Sequence, residues 1–278
     1  MNENPIITVK QLTKKFGNGC AHCNKEHAIL EKNRCPYCKT VYACRDLSFD
    51  LYEGEILGVV GESGSGKSTM MKCLYFDEQI SFGDMRILPF DNGSQNVFSL
   101  SSQQQRYIRN MILGMVYQNP ILGLKMNFSA ISNIAEKMIA ANHRSVEKME
   151  ERGVSLLEDV HIPITRMKEE PQNFSGGMQQ RVQIAKALSN YPPILLLDEV
   201  TTGLDLSVQA SVLDLIKTIQ RKFKVSMIVV SHDLAVIRML ADRTMVMLDG
   251  QIIERGLTDQ ILENPQQAYT QKLVYSLI

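Results

Sequence analysis

The sequence predicts an α/β fold built on a largely parallel sheet. Three observations carry this. Short apolar runs at residues 56–60, 194–197 and 225–230 alternate with segments of helical period. The first run leads into a glycine-rich loop that opens a helix. The second ends on two carboxylates, Asp198 and Glu199, at the strand edge where open α/β sheets place their ligands.

The elements follow in order. Residues 6–9 are a β-branched run, continued by 12–16 toward Gly17. A polar, turn-rich segment, 19–40, interrupts before strand character resumes at 41–43 and 47–51. Glu53-Gly54 reads as a hairpin turn into the buried strand 56–60, and 67–75 follows as a helix. Residues 80–115 carry short strands and turns, with the polar stretch 103–110 compatible with a helix. Residues 124–157 are mostly helical, because Ile131, Ile134, Ala135, Met138 and Ile139 recur at three- and four-residue steps. Pro163 and Pro171 punctuate the next connection. Residues 178–188, 208–219 and 234–241 are helical by period, and 244–248 with 251–254 form a hairpin around Asp249-Gly250.

Composition narrows the classes. The chain has 278 residues, with 30 Lys+Arg against 30 Asp+Glu and 44% hydrophobic residues. Apolar content of that order with no net charge excludes disorder, and the zero balance argues against gripping nucleic acid through bulk positive charge. The first ten residues form no basic-then-apolar signal, and no run of 18 apolar residues exists to span a membrane. Four of the six cysteines pair as Cys-x-x-Cys units, which suits a reducing cytoplasm rather than a secreted disulfide scaffold.

Gly61-Glu62-Ser63-Gly64-Ser65-Gly66-Lys67-Ser68-Thr69 fits the phosphate-loop pattern completely, with an apolar strand before it and a helix after it. The glycines let several backbone N–H groups converge on one anion, and the following helix adds its positive end. Lys67 is placed to reach terminal phosphates, and the Ser68 hydroxyl to ligate Mg²⁺. Asp198 is placed to hold a water of the Mg²⁺ shell, and Glu199 to orient or deprotonate the attacking water.

Residues 174–181, Phe-Ser-Gly-Gly-Met-Gln-Gln-Arg, resemble the signature sequence of ABC-type ATPases, usually Leu-Ser-Gly-Gly-Gln. The resemblance covers nearly the whole chain, 1–278, apart from the insertion at 19–40. It implies a P-loop nucleotide hydrolase with a mixed, largely parallel sheet core, an antiparallel β subdomain and a helical subdomain over 124–175. It further implies a head-to-tail dimer that sandwiches ATP, with Ser175, Gly176 and Gly177 of one copy touching the γ-phosphate held by the other. Gln118 matches the glutamine that senses Mg²⁺ and water, and His232 the switch histidine that contacts the γ-phosphate and steadies the catalytic Glu199. Thr202-Gly203-Leu204-Asp205 matches the dimer-contact loop. Phe16 stands where an adenine-stacking aromatic is expected, with Tyr42 as its competitor across the insertion. Phe174 and Met178 depart from the usual signature, and Val200 replaces the proline that follows the catalytic glutamate.

Within this superfamily the chain is most similar to the ATP-binding subunits of bacterial carbon–phosphorus lyase systems, through residues 174–181, the run Thr201–Ala210, and an ending with Gly256, Pro265 and Tyr269-Thr270. That resemblance implies docking, as a dimer, on a soluble lyase core that breaks down phosphonates. Two alternatives stand beside it: the energy-coupling ATPase of a peptide- or nickel-type importer, meeting the membrane only through a permease, and a clamp that uses nucleotide to hold its dimer with little hydrolysis. No nucleic-acid partner is expected.

Cys20-x-x-Cys23 and Cys35-x-x-Cys38 have the spacing of two knuckles closing one tetrahedral thiolate site, a zinc signature. So small an insert buries little apolar area, so a metal would supply its folding energy. A rubredoxin-type iron centre, or His22 or His27 in place of one thiolate, are the other arrangements the sequence admits. Cys44 and Cys73 fall outside the pattern and read as packed small apolar residues.

Overall fold

The computed structural model describes residues 4–24 and 30–275. Along the chain run β1 (Pro5–Phe16), β2 (Val41–Tyr52), β3 (Ile56–Val60), α1 (Lys67–Leu74), β4 (Phe82–Ile87), α2 (Ser102–Met111), β5 (Leu113–Val116), α3 (Pro120–Gly123), α4 (Ala130–Ala140) and α5 (Val146–Asp159). They are followed by α6 (Gly176–Ala187), β6 (Ile194–Asp198), α7 (Leu206–Phe223), β7 (Ser226–Val230), α8 (Leu234–Leu240), β8 (Arg243–Leu248), β9 (Gln251–Leu257), α9 (Thr258–Glu263) and α10 (Ala268–Tyr275). The chain forms two compact units, one of residues up to 100 with those from 230 onward, the other of residues 101–229.

In the first unit, β2, β1 and β4 make an antiparallel sheet in that order. Its inward residues, among them Ile7, Leu12, Leu47, Leu51, Met85 and Ile87, are essentially inaccessible. A second sheet pairs β3 parallel to β8, and β8 antiparallel to β9 across the expected turn at Asp249-Gly250. All five residues of β3 are buried, which is what a continuous apolar run signals in a sheet covered on both faces.

Two sequence expectations are corrected here. The runs 41–43 and 47–51 are one strand, β2, because Cys44 and Leu47 both register on β1. Glu53-Gly54 does not close a hairpin: β2 pairs with β1, whereas β3 pairs with β8. Gly54, at φ 72°, turns the chain out of one sheet and into the other.

In the second unit β5 and β6 are parallel and lie in the order β5, β6, β7. The polar stretch 103–110 belongs to α2, which a reciprocal capping box between Ser101 and Gln104 starts. The segment expected to be mostly helical resolves into α4 and α5, with a loop before them held by Asn133. That side chain is fully buried, accepts from Lys125 N–H (2.8 Å) and donates to the carbonyls of Lys125 and Phe128. Among the described residues no helix is long and apolar enough to cross a membrane.

Candidate functional site

The phosphate loop lies in the first unit, as the sequence predicts, between β3 and α1. Gly66 sits at φ 105° as the N-cap of α1, and a Cβ there would run into the Ala43 carbonyl oxygen, so the position requires glycine. No side chain caps α1 and no acidic residue occupies its first turn. Its leading N–H groups and the positive end of the helix are therefore arranged for an anion. Lys67 is only 4% exposed, and its Nζ donates to the carbonyls of Gly61 (2.7 Å) and Glu62 (2.9 Å). The Ser65 hydroxyl is buried with no hydrogen-bond partner among the described residues, an orphaned polar atom that a bound phosphate oxygen would satisfy.

Two positions to which the sequence reading gave no part in the site hold this loop. The Glu62 N–H donates to the Tyr269 hydroxyl on α10 (2.9 Å), so the Tyr-Thr ending braces the loop from 207 positions away. The Gly250 N–H of the β8–β9 turn donates to the Ser65 carbonyl (3.0 Å). His232, exposed at the surface of the same unit, follows Ser231, whose N–H donates to Val59 O (3.1 Å) at the end of β3. Asp233 caps α8 through Ala235 N–H (2.8 Å) and fixes the backbone on the other side of His232.

The second unit holds Gln118, Asp198, Glu199, Asp205 and the signature residues Ser175, Gly176 and Gly177. Asp198 closes β6 and is 4% exposed, and Glu199 follows it, half-buried, with φ 45°. A non-glycine residue in the left-handed region carries strain of order 1–3 kcal/mol, and such strain gathers at functional positions. Two donors hold the Glu199 carboxylate at Oε2: Gln118 Nε2 at 3.1 Å and the Thr202 hydroxyl at 3.2 Å. The structure thus brings Gln118 and Glu199 together from positions 81 residues apart. Val200, in the place of the usual proline, is packed at 2% exposure.

Ser175 is the N-cap of α6, accepting from Met178 N–H (3.4 Å). At Gly177 a Cβ would collide with Val208 of α7, so this glycine sets how closely the two helices approach. The two departures in the signature share one neighbour that the sequence did not reveal. The Arg166 guanidinium lies 4.6 Å from the Phe174 ring centroid, and its NH1 is 3.4 Å from the Met178 sulfur. Glu169 anchors Arg166 at 2.6 Å. Asp205 caps α7, and the hydrogen bonds from Val208 N–H and Ser207 hold its carboxyl below the usual range.

The insertion folds as two matching turns: Asn24 N–H donates to Cys20 O (3.0 Å) and Lys39 N–H to Cys35 O (3.1 Å). They bring the four sulfurs together. Sγ separations are 3.8 Å for Cys20–Cys23, 3.8 Å for Cys20–Cys35 and 3.6 Å for Cys23–Cys38, with all four ligand atoms within 4.8 Å of one another. A tetrahedral thiolate site with metal–sulfur bonds of about 2.3 Å separates its sulfurs by about 3.8 Å, so the residues fit zinc. His22 lies outside that set and packs edge-on against Tyr37 at 4.5 Å, and His27 falls outside the described residues. Tyr42 is buried with Cys23 and Cys35, and its hydroxyl donates to Cys23 O (2.6 Å). Burial pushes its phenol up to about 12. Phe16 is the aromatic that this strand end exposes, at 45%. Cys44 and Cys73 are fully buried, and burial raises both thiols.

Fold and loops define a P-loop α/β ATPase. Residues 44–202 match the family described as ABC transporter, and the chain belongs to that family. It is 42% identical to the phosphonates utilization ATP-binding protein PhnK of Escherichia coli (strain K12), over 84% of this chain and 90% of that protein. To the oligopeptide transport ATP-binding protein OppD of Bacillus subtilis (strain 168) it is 37% identical, over 85% of this chain and 67% of that one. Among solved structures, the ATP-binding cassette MJ0796, a dimer in a post-hydrolysis state bound to ADP and Pi, matches with a TM-score of 0.75 and 27% identity. The match covers 91% of this chain and 98% of that one. The chain is an ATP-binding and ATP-hydrolysing subunit of the ABC type.

Proposed function

We propose that this ATPase is an energy-coupling subunit, in which two copies close on ATP and reopen after hydrolysis to drive a partner assembly. The observation that carries its nucleotide chemistry is the uncapped, acid-free N-terminus of α1 above the buried Lys67 and the orphaned Ser65 hydroxyl. Residues 61–69 bind the phosphates and Phe16 stacks the adenine. Ser68, Gln118 and Asp198 would hold Mg²⁺, whose charge would offset that of the phosphates. Glu199 takes the proton of the attacking water, while Gln118 and Thr202 orient its carboxylate. His232 contacts the γ-phosphate. The paired arrangement, in which Ser175, Gly176 and Gly177 reach the nucleotide of the other copy and Asp205 lines the dimer contact, is supported by the dimeric MJ0796 cassette. The four cysteines are assigned to a structural Zn²⁺, the ion their sulfur spacing and thiolate chemistry suit.

The importer reading of the partner has the broader support, since the family is that of ABC transporters and OppD is among the relatives. One observation favours a second reading, a soluble carbon–phosphorus lyase assembly that degrades phosphonates: the 42% identity to PhnK extends over 90% of that protein, against 67% of OppD. Affinity purification of the tagged chain from its native cells under phosphate starvation, with mass spectrometry, separates the two. Co-purifying polytopic permeases support the importer reading, and soluble lyase-core subunits support the second. Recovery of the chain with its own copy alone would contradict both.

A further inference from the structure

We infer that the zinc-loaded cysteine knuckle is part of the nucleotide site, setting ATP affinity by fixing the purine platform and bracing the phosphate loop. This rests on the reading of Phe16 and residues 61–69 as ATP-binding. The geometry runs in two directions from the four sulfurs.

On one side, Cys20 follows Phe16 by four positions, and the intervening backbone is tied to the knuckle through Thr40. The Thr40 hydroxyl accepts from Gly19 N–H (3.0 Å) and lies 3.2 Å from Cys38 Sγ. Gly17, at φ 112°, packs so closely on Thr40 that a Cβ would meet its hydroxyl at 2.8 Å. Phe16 thus leaves β1 straight into a turn whose position the metal ligands determine.

On the other side, Cys38 leads through Thr40 into β2. Tyr42 is bound into the knuckle by its hydrogen bond to Cys23 O and its burial against Cys23 and Cys35. The next residue, Ala43, presents the carbonyl that packs against Gly66 of the phosphate loop. Arg45 N–H donates to Gly250 O (2.7 Å) in the turn that also holds Ser65. Among the described residues the apolar cluster of the knuckle is Cys23, Cys35 and Tyr42 with Cys20 and Leu30 at its edge, too little to order these turns without the metal. The same strand end therefore answers to the metal on one side and to the phosphate loop on the other.

The test uses the full chain purified without added chelator. Elemental analysis should find one zinc per chain. Zinc is then released by titrating the cysteines with a mercurial in the presence of EDTA, the mercurial is removed with excess thiol and both reagents are dialysed away. ATP affinity is measured with a fluorescent ATP analogue before stripping, after it, and after zinc is returned. Stripping should weaken binding between about three- and tenfold, the scale of one or two lost positioning hydrogen bonds, and returned zinc should restore it. Tyr42→Phe, which leaves all four ligands in place, should keep its zinc and lose about two- to fivefold in affinity. This variant decides the matter if the stripped chain unfolds. Iron in place of zinc, less than half an equivalent of metal, or Tyr42→Phe binding ATP as the wild type does would overturn the inference. Failure of the zinc-loaded wild type to bind ATP would instead strike the nucleotide reading itself.

Discussion

Thr202→Val tests how the carboxylate of Glu199 is aimed. The substitution keeps the shape of the side chain and removes one donor, the hydroxyl 3.2 Å from Glu199 Oε2. The Gln118 amide at 3.1 Å remains. A hydrogen bond to a charged group is worth about 1.5–3 kcal/mol when buried. Glu199 is half-buried and water can replace part of the lost bond, so about 1–2 kcal/mol of positioning is at stake. If that appears in the transition state, kcat falls between about five- and thirtyfold. Phosphate release at saturating ATP and Mg²⁺ gives kcat, and the ATP dependence gives KM, which should move less than twofold because Thr202 lies outside the phosphate loop. An unchanged kcat, or a rise in KM that accounts for the whole loss, would refute the assignment of Thr202 to the orientation of Glu199.

Three further outcomes follow. Gly66→Ala should abolish measurable nucleotide binding, since the left-handed backbone and the Ala43 carbonyl both oppose a Cβ; retained affinity in a titration calorimeter would contradict the loop geometry. Arg166→Ala should lower stability by uncovering the Phe174 ring and releasing Glu169, and urea unfolding should show it as a lowered midpoint with unchanged slope. Lys137 is buried against Leu113 O (2.9 Å), and burial, aided by Lys186 and Arg109, lowers its ammonium to about 7. Above that pH the native lysine is neutral while the unfolded one keeps its proton until about 10.5, so stability rises with pH across that window and the penalty is full below it. From pH 7.5 to 8.5 the wild type should gain about 1 kcal/mol relative to Lys137→Met; parallel pH profiles for the two would contradict a native lysine that sheds its proton.

Much of the geometry of the loops was legible because it is local. The phosphate loop, the strand ending in Asp198-Glu199 and the helix behind Ser175 are each contained in about a dozen consecutive residues, where apolar runs and glycines state their own geometry. The paired cysteines were legible for the same reason, since ligand spacing encodes the knuckle turns. What stayed hidden depends on partners far away in sequence. Tyr269 braces the phosphate loop across 207 positions, and nothing in its own neighbourhood says so. Tyr42 was an open competitor to Phe16 until its hydroxyl was seen on Cys23 O. Arg166 covers both unusual signature residues from outside the motif. The turn at Glu53-Gly54 misled because its chemistry is the same whichever sheet the next strand joins. The helix at 102–111, by contrast, carried a readable start in the Ser101–Gln104 box, which its polar composition obscured.

ATP turnover by the wild type and by Glu199→Gln, measured side by side with nucleotide binding in the same preparations, bears most directly on the account. The amide keeps the shape of the side chain and its contacts with Gln118 and Thr202 but cannot accept the proton of the attacking water. Removing such a base costs about 10²–10⁴ in rate, so phosphate release should fall by at least about a hundredfold while ATP affinity stays within about threefold of the wild type. Equal turnover in the two proteins would remove Glu199 from the chemistry and, with it, the hydrolytic mechanism assigned to this chain.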